Sequence, residues 1–394
     1  MNKYLEFRFV SNVMTRHKYG TTIGSAMVAI ALSCFTGSSF AQSIDQPSDQ
    51  VPAQGMENGS ADDTDPATLS ATMDWSNFAS IGRGYRSSTA MHYSGLVVEV
   101  HDATNPYYLP HSTGTWYHIG QLNASGTKVN WGPSRHLTCC FAMYPSVAIT
   151  NEGYVIFSYS TGQSKKNSDL KMMVGTVDVN GGVDQEIQWK TGKTGNLPFD
   201  SGYHNTLAVN ASGVIAEAHE SGSGGKGIYY RLGHLKDPAN GDFNVVWDTG
   251  DYGKNYGNGI NPHISIDDKG EVVEVHQAAA NDYKLHYIRG KLNANSIKFN
   301  NSQPQYNSNG QRPAVALQND GYLVEVHDNG DSVFYRTGQL DSKDASKINW
   351  SETQPIPKGK SLESNSVSSN GYFAVATAFD DDYDTLRYSV AVAP

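Results

Sequence analysis

The sequence predicts an all-β protein built from six copies of one four-stranded unit, and three observations carry this prediction. A glycine-led strand recurs along the chain, with its clearest copies at 95–101, 213–219, 270–276 and 321–327. A strand that carries aromatic residues and ends on a small residue follows these copies. Charged residues make up only 17% of the chain, while Gly (39) and Tyr (23) are abundant, which favours turn-rich β structure over helices.

The first 41 residues are expected to be an export signal and no part of the fold. Basic residues precede an apolar run from Ala26 to Phe35, which is shorter than the about 20 residues that span a bilayer. Ser39-Phe40-Ala41 then presents small residues at both recognition positions of a signal-peptidase site. We therefore expect cleavage after Ala41 and an exported protein, extracellular or periplasmic, without a membrane span.

Residues 42–70 are predicted to form a disordered acidic linker. This stretch contains Asp, Glu, Pro, Gln, Ser and Gly but no Lys or Arg, a composition that cannot bury a core. The chain as a whole carries a net charge of −10. Such a charge gives no general attraction for nucleic acid or for an anionic membrane surface.

Each repeat contains four strand-like segments, which we number from first to fourth. The first segment follows a loop, as at 145–150 and 313–317, and the glycine-led segment is the second. Weaker copies of the second segment lie at 153–159 and 371–377. The third ends on a small residue, such as Gly120 or Gly338, and the fourth on an aromatic residue, such as Trp131 or Trp350. Four antiparallel strands repeated every 50 to 60 residues are typical of the blades of a β-propeller.

The two ends of the chain predict how the ring closes. Repeat six stops at Pro394 after its third segment, and the missing fourth segment is matched by Ala71–Trp75. Pairing these two segments removes two open sheet edges at once. The sequence therefore predicts a six-bladed β-propeller over 71–394, made of four-stranded antiparallel blades, with the last blade closed by an N-terminal strand.

The G-x-V-V-E-V-H, Y-x-x-G and I-x-W segments resemble the repeats of a group of secreted bacterial β-propeller proteins. The resemblance covers 71–394 and implies the fold, while it implies little about activity. Sialidase-type propellers and fucose-binding lectin propellers are the functional comparisons. The segment 123–131 is similar to the Asp-box turn of sialidases, but the chain has no matching sialidase set of arginines, so that activity is not carried over.

Glu and His recur two residues apart in four of the second strands, which places both side chains on one face. The pairs are Glu99/His101, Glu217/His219, Glu274/His276 and Glu325/His327. One hairpin register sets the histidines opposite aromatic residues of the third strand, in the pairs His101/Trp116, His219/Tyr229, His276/His286 and His327/Phe334. The same register sets Glu99 opposite His118, Glu217 opposite Arg231 and Glu325 opposite Arg336. Repeats two and six depart from it, with Tyr159/Met172 and Thr377/Arg387 at the His position.

Two interpretations of these pairs stay open, packing between blades and saccharide binding. A sugar ring is recognised by an aromatic face with polar groups at its edge. The candidate binding residues are His101, Trp116, His219, Tyr229, His276, His286, His327, Phe334 and Tyr144. We expect no metal and no other cofactor, because zinc needs nitrogens about 2 Å from one ion and the four histidines lie in separate repeats.

Cys139 and Cys140 are adjacent in a loop between repeats one and two. In an oxidising compartment they either form a vicinal disulfide or stay reduced, and accidental adjacency remains the alternative. A bridge would make a rigid platform near Tyr144.

The favoured function is a secreted, lectin-like propeller that binds carbohydrate or a cell-surface glycan, with several sites per monomer and no catalytic residues. One alternative is a glycan-active hydrolase or lyase with a single site at the channel mouth, using Arg86, His92, His204 and His263. A protein-interaction scaffold is the other, because a propeller fold by itself does not define a function.

Overall fold

A computed structural model describes residues 72–102, 114–137, 142–161, 168–191, 198–222, 227–301, 304–359, 365–380 and 385–392. All of them belong to one compact unit, Thr64–Pro394. Within these ranges the chain forms β-strands and a single short 3₁₀-helix, Pro238–Asn240, so the predicted all-β class is confirmed. None of the described residues belongs to a helix that could span a membrane. The predicted signal peptide and linker lie outside the described residues.

The strands follow the predicted order of first to fourth within each repeat. Repeat one contains β3 (Tyr85–Met91), β4 (Leu96–Asp102), β5 (Thr115–Leu122), β6 (Val129–Trp131) and the short β7 (Arg135–Leu137). Repeat two contains β8 (Met143–Ile149), β9 (Tyr154–Ser160), β10 (Asp169–Thr176) and β11 (Gln188–Trp189). Repeat three contains β12 (Asp200–Val209), β13 (Val214–Ser221), β14 (Gly227–Asp237), β15 (Asp242–Trp247) and β16 (Lys254–Asn258).

The second half of the chain repeats this order. Repeat four contains β17 (Ile260–Ile266), β18 (Glu271–Ala279), β19 (Asp282–Asn293), β20 (Ser296–Phe299) and β21 (Gln305–Asn309). Repeat five contains β22 (Gln311–Leu317), β23 (Tyr322–Asp328), β24 (Val333–Leu340), β25 (Ile348–Trp350) and β26 (Gln354–Pro355). Repeat six contains β27 (Asn365–Ser369), β28 (Phe373–Asp380) and β29 (Thr385–Val392), with β1 (Asp74–Trp75) and β2 (Ala79–Arg83) from the other end of the chain.

Hydrogen bonds join these strands into a propeller-like arrangement of antiparallel sheets. Repeats one, four, five and six each form a five-stranded sheet, and repeats two and three share one nine-stranded sheet. The two repeats are linked where Asp169 and Leu170 of β10 pair with Ser201 and Asp200 of β12. In repeat six, β1 pairs with β29 through Asp74–Val392 and Trp75–Ala391. The last sheet is therefore built from both ends of the chain.

The first strands of the six repeats contact one another in cyclic order, and side chains connect them. In five of these junctions a side chain of one first strand accepts a hydrogen bond from a backbone N–H of the next, at 2.9 to 3.3 Å. The pairs, acceptor first, are Ser88/Val147, Ser146/Leu207, Thr206/Ile264, His263/Val315 and Ser366/Thr89. These bonds satisfy backbone donors that face a neighbouring strand instead of a ladder partner.

A tyrosine of the third strand connects neighbouring repeats further from the axis. Its hydroxyl bonds a backbone group of the next repeat's fourth strand at 3.1 to 3.4 Å. The pairs are Tyr117/Ile187, Tyr230/Ile297, Tyr287/Ile348, Tyr335/Met73 and Tyr388/Val129. Around Tyr335 the N-terminal segment is also packed into an apolar cluster, where Met73, Trp75 and Phe78 are 5%, 5% and 8% exposed.

The predicted hairpin register is confirmed in four repeats and wrong in two. His101 pairs with Trp116, His219 with Tyr229, His276 with His286 and His327 with Phe334. Tyr159 pairs with Lys171 and not with Met172, because Lys171 lies four residues before Gly175, the spacing that Trp116 has from Gly120. Thr377 pairs with Tyr388 and not with Arg387. The turn before β28 is one residue tighter than the others, since Asn370 N–H bonds Phe373 O while Gln318 N–H reaches Tyr322 O.

Candidate functional site

The four repeated Glu–His pairs are buried inside the sheets. Each glutamate is 0% exposed and each histidine at most 2%. The Nδ1 atom of each histidine lies 2.9 to 3.0 Å from a carboxylate oxygen of the glutamate two residues before it. In repeat three, loss of solvation lowers the pKa of His219, but Glu217 and Asp200 together outweigh it and raise that pKa. The pairs are therefore buried, hydrogen-bonded contacts within a blade.

Glycines of the first strands explain why the imidazoles lie where they do. A Cβ built on Gly84, Gly202, Gly259 or Gly310 would come within 2.4 to 2.5 Å of the histidine ring of the same repeat. Each ring consequently packs closely against a glycine backbone, where no other residue leaves enough room. This close approach favours the packing interpretation of the histidines.

The aromatic partners lie on the outer side of these histidines and keep part of their surface. Trp116, Tyr229, His286 and Phe334 are each half-buried. The ring planes of His219 and Tyr229 are 8° apart at a centroid distance of 5.7 Å, and those of His327 and Phe334 are 16° apart at 5.8 Å. The histidine faces are therefore covered by the residues proposed to bind sugar beside them.

A different set of side chains converges at one end of the first strands, which we call the mouth pocket. The pocket is lined by Arg86, Tyr144, His204, Asn261, His263, Arg312 and neighbouring residues, and it has a volume of ≈ 80 Å³. Five of these residues share a backbone conformation that is rare for non-glycine residues. Their φ angles are 30° (Arg86), 52° (Tyr144), 47° (His204), 52° (Asn261) and 48° (Arg312).

β-Bulges produce this conformation at the same place in each of the five repeats. The pairing of the first with the second strand shifts register between Tyr85 and Ser87, and again at the matching position of repeats two to five. A bulge bends its strand and redirects a side chain, and left-handed non-glycine residues cost on the order of 1–3 kcal/mol each. Five such positions around one pocket indicate a site at which the fold stores strain.

Four of the five bulge residues are bound to the residue 16 positions later, at or near the end of the second strand. Arg86 Nη1 donates to Asp102 Oδ2 at 3.2 Å, and Arg312 Nε donates to Asp328 Oδ2 at 2.9 Å. Asn261 Nδ2 donates to Gln277 Oε1 at 3.3 Å. The remaining pair is His204 Nδ1 with Glu220 Oε1. The mouth residues are thus held from behind by buried acceptors.

Three of the mouth residues, Arg86, Tyr144 and His204, contact one another in a row. The Arg86 guanidinium carbon lies 4.0 Å from the centroid of the Tyr144 ring, and the His204 ring lies 3.7 Å from the same centroid at 82°. The Tyr144 hydroxyl meets that of Tyr203 at 3.0 Å. Cation–π contact and ring packing therefore orient all three side chains without any bound molecule.

The pKa values of three groups near the pocket are shifted by burial and by neighbouring charges. Loss of solvation raises the pKa of Asp102 to about 7, against the attraction of Arg86. The pKa of Arg86 is raised, because attraction to Asp102 and neighbouring tyrosines outweighs its own loss of solvation, so it stays charged. Burial lowers the pKa of His263 to about 4, and this neutral ring accepts a hydrogen bond from Val315.

The structure brings together three of the four residues named for an enzyme, Arg86, His204 and His263, and adds Tyr144 from the binding set. His92 lies elsewhere, in the turn at the opposite end of β3, where its Nδ1 meets Ser94 Oγ at 2.8 Å. Sequence reasoning missed Asn261 and Arg312. A usable signal existed, because each of the five bulge residues stands two positions after a Gly or Ala and 16 positions before a residue at or near the end of a second strand.

One group of side chains in the described part of the chain has the composition of a metal site, Glu99, His101 and His118, whose ligand atoms lie within 4.8 Å of one another. The Glu–His half of this group recurs in three other repeats, so it is explained by the fold. His118 occupies the place that Arg231 and Arg336 hold elsewhere, and burial lowers its pKa. Cys139 and Cys140 lie outside the described residues.

Comparison with known proteins identifies the fold and no family. No protein-family model matches the chain, and no curated protein matches its sequence. The structure is similar to Trypanosoma rangeli sialidase in complex with the inhibitor DANA, with 12% identity, a TM-score of 0.50 and coverage of 79% of this chain but 55% of the sialidase. The K499G mutant of NanB sialidase from Streptococcus pneumoniae has 8% identity and a TM-score of 0.50, with coverage of 80% and 68%.

A protein of unknown function from Dyadobacter fermentans is also similar, with 9% identity, a TM-score of 0.50 and coverage of 82% of this chain and 99% of that one. At these identities the likeness shows the fold alone. The chain has a distant sialidase-like β-propeller fold.

Proposed function

We propose that the protein is a glycan-active β-propeller whose working site is the mouth pocket. The observation that carries the proposal is the set of five bulges that present Arg86, Tyr144, His204, Asn261 and Arg312 to one space. The scaffold repeats, whereas these five positions hold four different residue types. A multivalent binder needs similar sites in each repeat, and an enzyme needs one asymmetric centre.

The ring that supports this pocket is proposed to have six blades and to close through the N-terminal strand. The cyclic contacts of the first strands and the pairing of β1 with β29 support this count, with the nine-stranded sheet read as two linked blades. We further propose the domain order inferred from sequence, a signal peptide over 1–41, a linker over 42–70 and the propeller over 71–394, in an exported monomer.

Carbohydrate is the proposed ligand class for two reasons. The pocket combines an aromatic ring with several fixed hydrogen-bond donors, the combination that sugar recognition requires. The similar solved structures include two sialidases, which act on glycans. The reaction is not transferred from those proteins, because their likeness is one of fold.

A glycan array followed by calorimetry tests the proposal on the purified protein. We expect binding of one glycan per chain, weakened at least tenfold by Tyr144→Ala and unchanged by Tyr306→Ala, a control at an exposed tyrosine outside the pocket. Absence of binding to every glycan class, or full binding by the Tyr144 variant, would contradict a site in this pocket.

A lectin with several sites is the second candidate, because Trp116, Tyr229, His286 and Phe334 keep part of their surface. It predicts up to four sites per chain, of which Trp116→Ala and Tyr229→Ala each remove one. Stacking contributes on the order of 1 kcal/mol beyond area burial, so affinity at the altered repeat should fall several-fold. A stoichiometry of one that survives both substitutions would exclude this candidate.

A further inference from the structure

In the mouth pocket, several hydrogen-bond donors line the cavity and the carboxylates that bind them lie behind. The residues that line it present hydrogen-bond donors, namely the guanidinium groups of Arg86 and Arg312, the amide of Asn261 and the hydroxyl of Tyr144. Their carboxylate partners lie behind them, with Asp102, Glu220 and Asp328 only 6%, 1% and 0% exposed. A ligand entering the pocket therefore meets donors, which suits an anionic group with several acceptor oxygens.

Arg86 provides a specific seat for such a group. Its side chain is 4% exposed, and its Nε atom and the Oδ1 atom of Asp102 are buried without a partner among the described residues. One hydrogen bond at 3.2 Å joins the two side chains, so the ion pair leaves donor capacity unused. A planar carboxylate matches a guanidinium in geometry as well as charge. The high pKa that burial gives Asp102 weakens its competition for Arg86 near neutral pH.

The size of the pocket limits which part of a sugar enters. Its volume of ≈ 80 Å³ is well below the about 300 to 1,000 Å³ of sites that enclose a drug-sized ligand. The pocket therefore accommodates a carboxylate substituent while the rest of the sugar stays outside it. The carboxylate would then lie against Arg86 and beside Tyr144 and His204.

The carboxylates at the mouth are poorly placed for hydrolysis. Glycosidases of the usual type use two carboxyl groups that flank the glycosidic bond, about 5 to 9.5 Å apart. Here Asp102, Glu220 and Asp328 are covered by the mouth residues that they bind. The side chains in the pocket lining that could exchange a proton are Tyr144, His204 and His263, and burial keeps His263 neutral. These groups are suited to removing a proton from a carbon atom of the sugar and not to hydrolysis by a carboxyl pair.

Glu220 fixes the tautomer that such chemistry requires. Its Oε1 atom accepts from His204 Nδ1 and also from the backbone N–H of Asn261 at 2.8 Å. Because a carboxylate only accepts, Nδ1 carries the proton, and in the neutral imidazole the lone pair is then on Nε2. A carboxylate that orients a histidine in this way supports its action as a general base. Tyr144 is the adjacent proton donor, with its ring 3.7 Å from that of His204.

We propose that the mouth pocket takes a uronic-acid residue of an acidic polysaccharide and cleaves the chain by β-elimination. Arg86 neutralises the carboxylate, which acidifies the hydrogen on C5. His204 Nε2 takes that proton, the C5–H electron pair forms the C4=C5 double bond, the C4–O4 bond breaks, and the Tyr144 hydroxyl gives its proton to O4. The imidazolium and phenolate then exchange the proton, so no oxidant or second substrate is consumed.

The proposal rests on the glycan-active function proposed above, and it is tested on the full chain with polygalacturonate, alginate, hyaluronan and heparin as probes. Carboxyl-reduced polygalacturonate and dextran sulfate are the matched polymers without uronate. Each reaction is followed by the ultraviolet absorbance of the unsaturated uronate and by new reducing ends, and binding is measured separately by calorimetry.

The informative variants are Tyr144→Phe, His204→Asn and Arg86→Gln, with His92→Asn as the control. His92→Asn makes the same change as His204→Asn, but at the opposite end of the first strands from the mouth pocket. We expect absorbance and reducing ends to rise together on at least one uronate polymer. Tyr144→Phe and His204→Asn should lower kcat by about 10²-fold or more, the usual effect of a general acid or base, while binding persists. Arg86→Gln should raise KM as well, and His92→Asn should do neither.

The outcomes separate the two proposals. Reducing ends without absorbance would indicate hydrolysis, and uronate binding without turnover would indicate a lectin-type site; either overturns elimination and leaves the glycan site standing. Equal binding of dextran sulfate or of the carboxyl-reduced polymer overturns the assignment of a carboxylate. Absence of binding to any saccharide overturns both proposals. Melting temperatures near that of the parent protein show that a lost activity is not a lost fold.

Discussion

Replacing Trp75 by Ala tests how much the N-terminal strand contributes to stability. Trp75 is one of only two residues in β1, and its side chain is 5% exposed in the cluster that joins repeats five and six. Its ring lies 5.6 Å from that of Tyr335, whose hydroxyl bonds both the N–H and the C=O of Met73 at 3.1 Å. The substitution therefore removes the packing contact between this N-terminal segment and repeat five.

The expected loss in the free energy of unfolding follows from the burial of the Trp75 ring and from an unpaired donor that the substitution removes. Truncating a buried Trp or Phe to Ala costs about 3 to 5 kcal/mol. The Trp75 indole N–H has no partner among the described residues, and a buried unpaired donor already costs about 1 to 3 kcal/mol. We therefore expect a net loss of about 2 kcal/mol for Trp75→Ala. Trp75→Phe should lose under about 1 kcal/mol, because it keeps a ring and removes the unpaired donor.

Urea unfolding followed by circular dichroism gives the free energy of unfolding and its m-value for each variant. Asp74→Ala is the control, since Asp74 is the exposed neighbour in the same strand and pairs with Val392 through its backbone. Deleting 71–75 should exceed the effect of Trp75→Ala and expose the edge of β29, whereas deleting 42–65 should have no effect. A Trp75→Ala protein within about 0.5 kcal/mol of the parent, with the same m-value, would refute the role given to β1.

Three further predictions address single positions. Gly310→Ala should destabilise the protein by about 1 to 3 kcal/mol, because the new Cβ would lie 2.5 Å from His327, while Gly82→Ala, which meets nothing within 4 Å, should be neutral in the same unfolding assay. The lowered pKa of His263 means that the unfolded chain binds its proton first, so stability falls as pH drops from about 6.5 towards about 4. His263→Ser replaces the histidine by the residue that accepts the equivalent bond in repeat two, Ser146. This variant should flatten that part of the stability curve, and an unchanged slope would show that another group is responsible. If Cys139 and Cys140 are bridged, the protein cleaved after Ala41 will label no thiol with maleimide when denatured without reductant, and two labelled thiols would exclude the bridge.

The hairpins could be predicted from the sequence because their signals are local. Alternation, a leading glycine and an Asn-Gly turn specify a strand pair, and the spacing from His327 to Phe334 then specifies its register. The error in repeat six shows the limit of that reasoning. One residue fewer in the turn at Asn370 shifts every later pair, and composition alone does not reveal the turn geometry.

The site was harder to predict because its residues are selected by backbone geometry. Arg312 looks like an ordinary surface arginine in QRPAVAL, and only the bulge between Gln311 and Ala314 turns it into the mouth pocket. The repeated histidines were predicted to be binding residues for the opposite reason, because their pattern is visible in the sequence. Repetition reflects a demand of the fold, here the glycine that each ring packs against, whereas the working residues are those that vary at an equivalent position.

The bond between four of the mouth residues and the residue 16 positions later has a consequence for how such a protein changes its ligand. A mouth side chain and its buried partner belong to the same repeat, so they form a two-residue unit that is inherited together when a repeat is duplicated. Arg86–Asp102 and Arg312–Asp328 are the same unit used twice, and Asn261–Gln277 is a neutral version of it. Recognition can therefore evolve one repeat at a time by paired substitution, without rebuilding the blades that carry it.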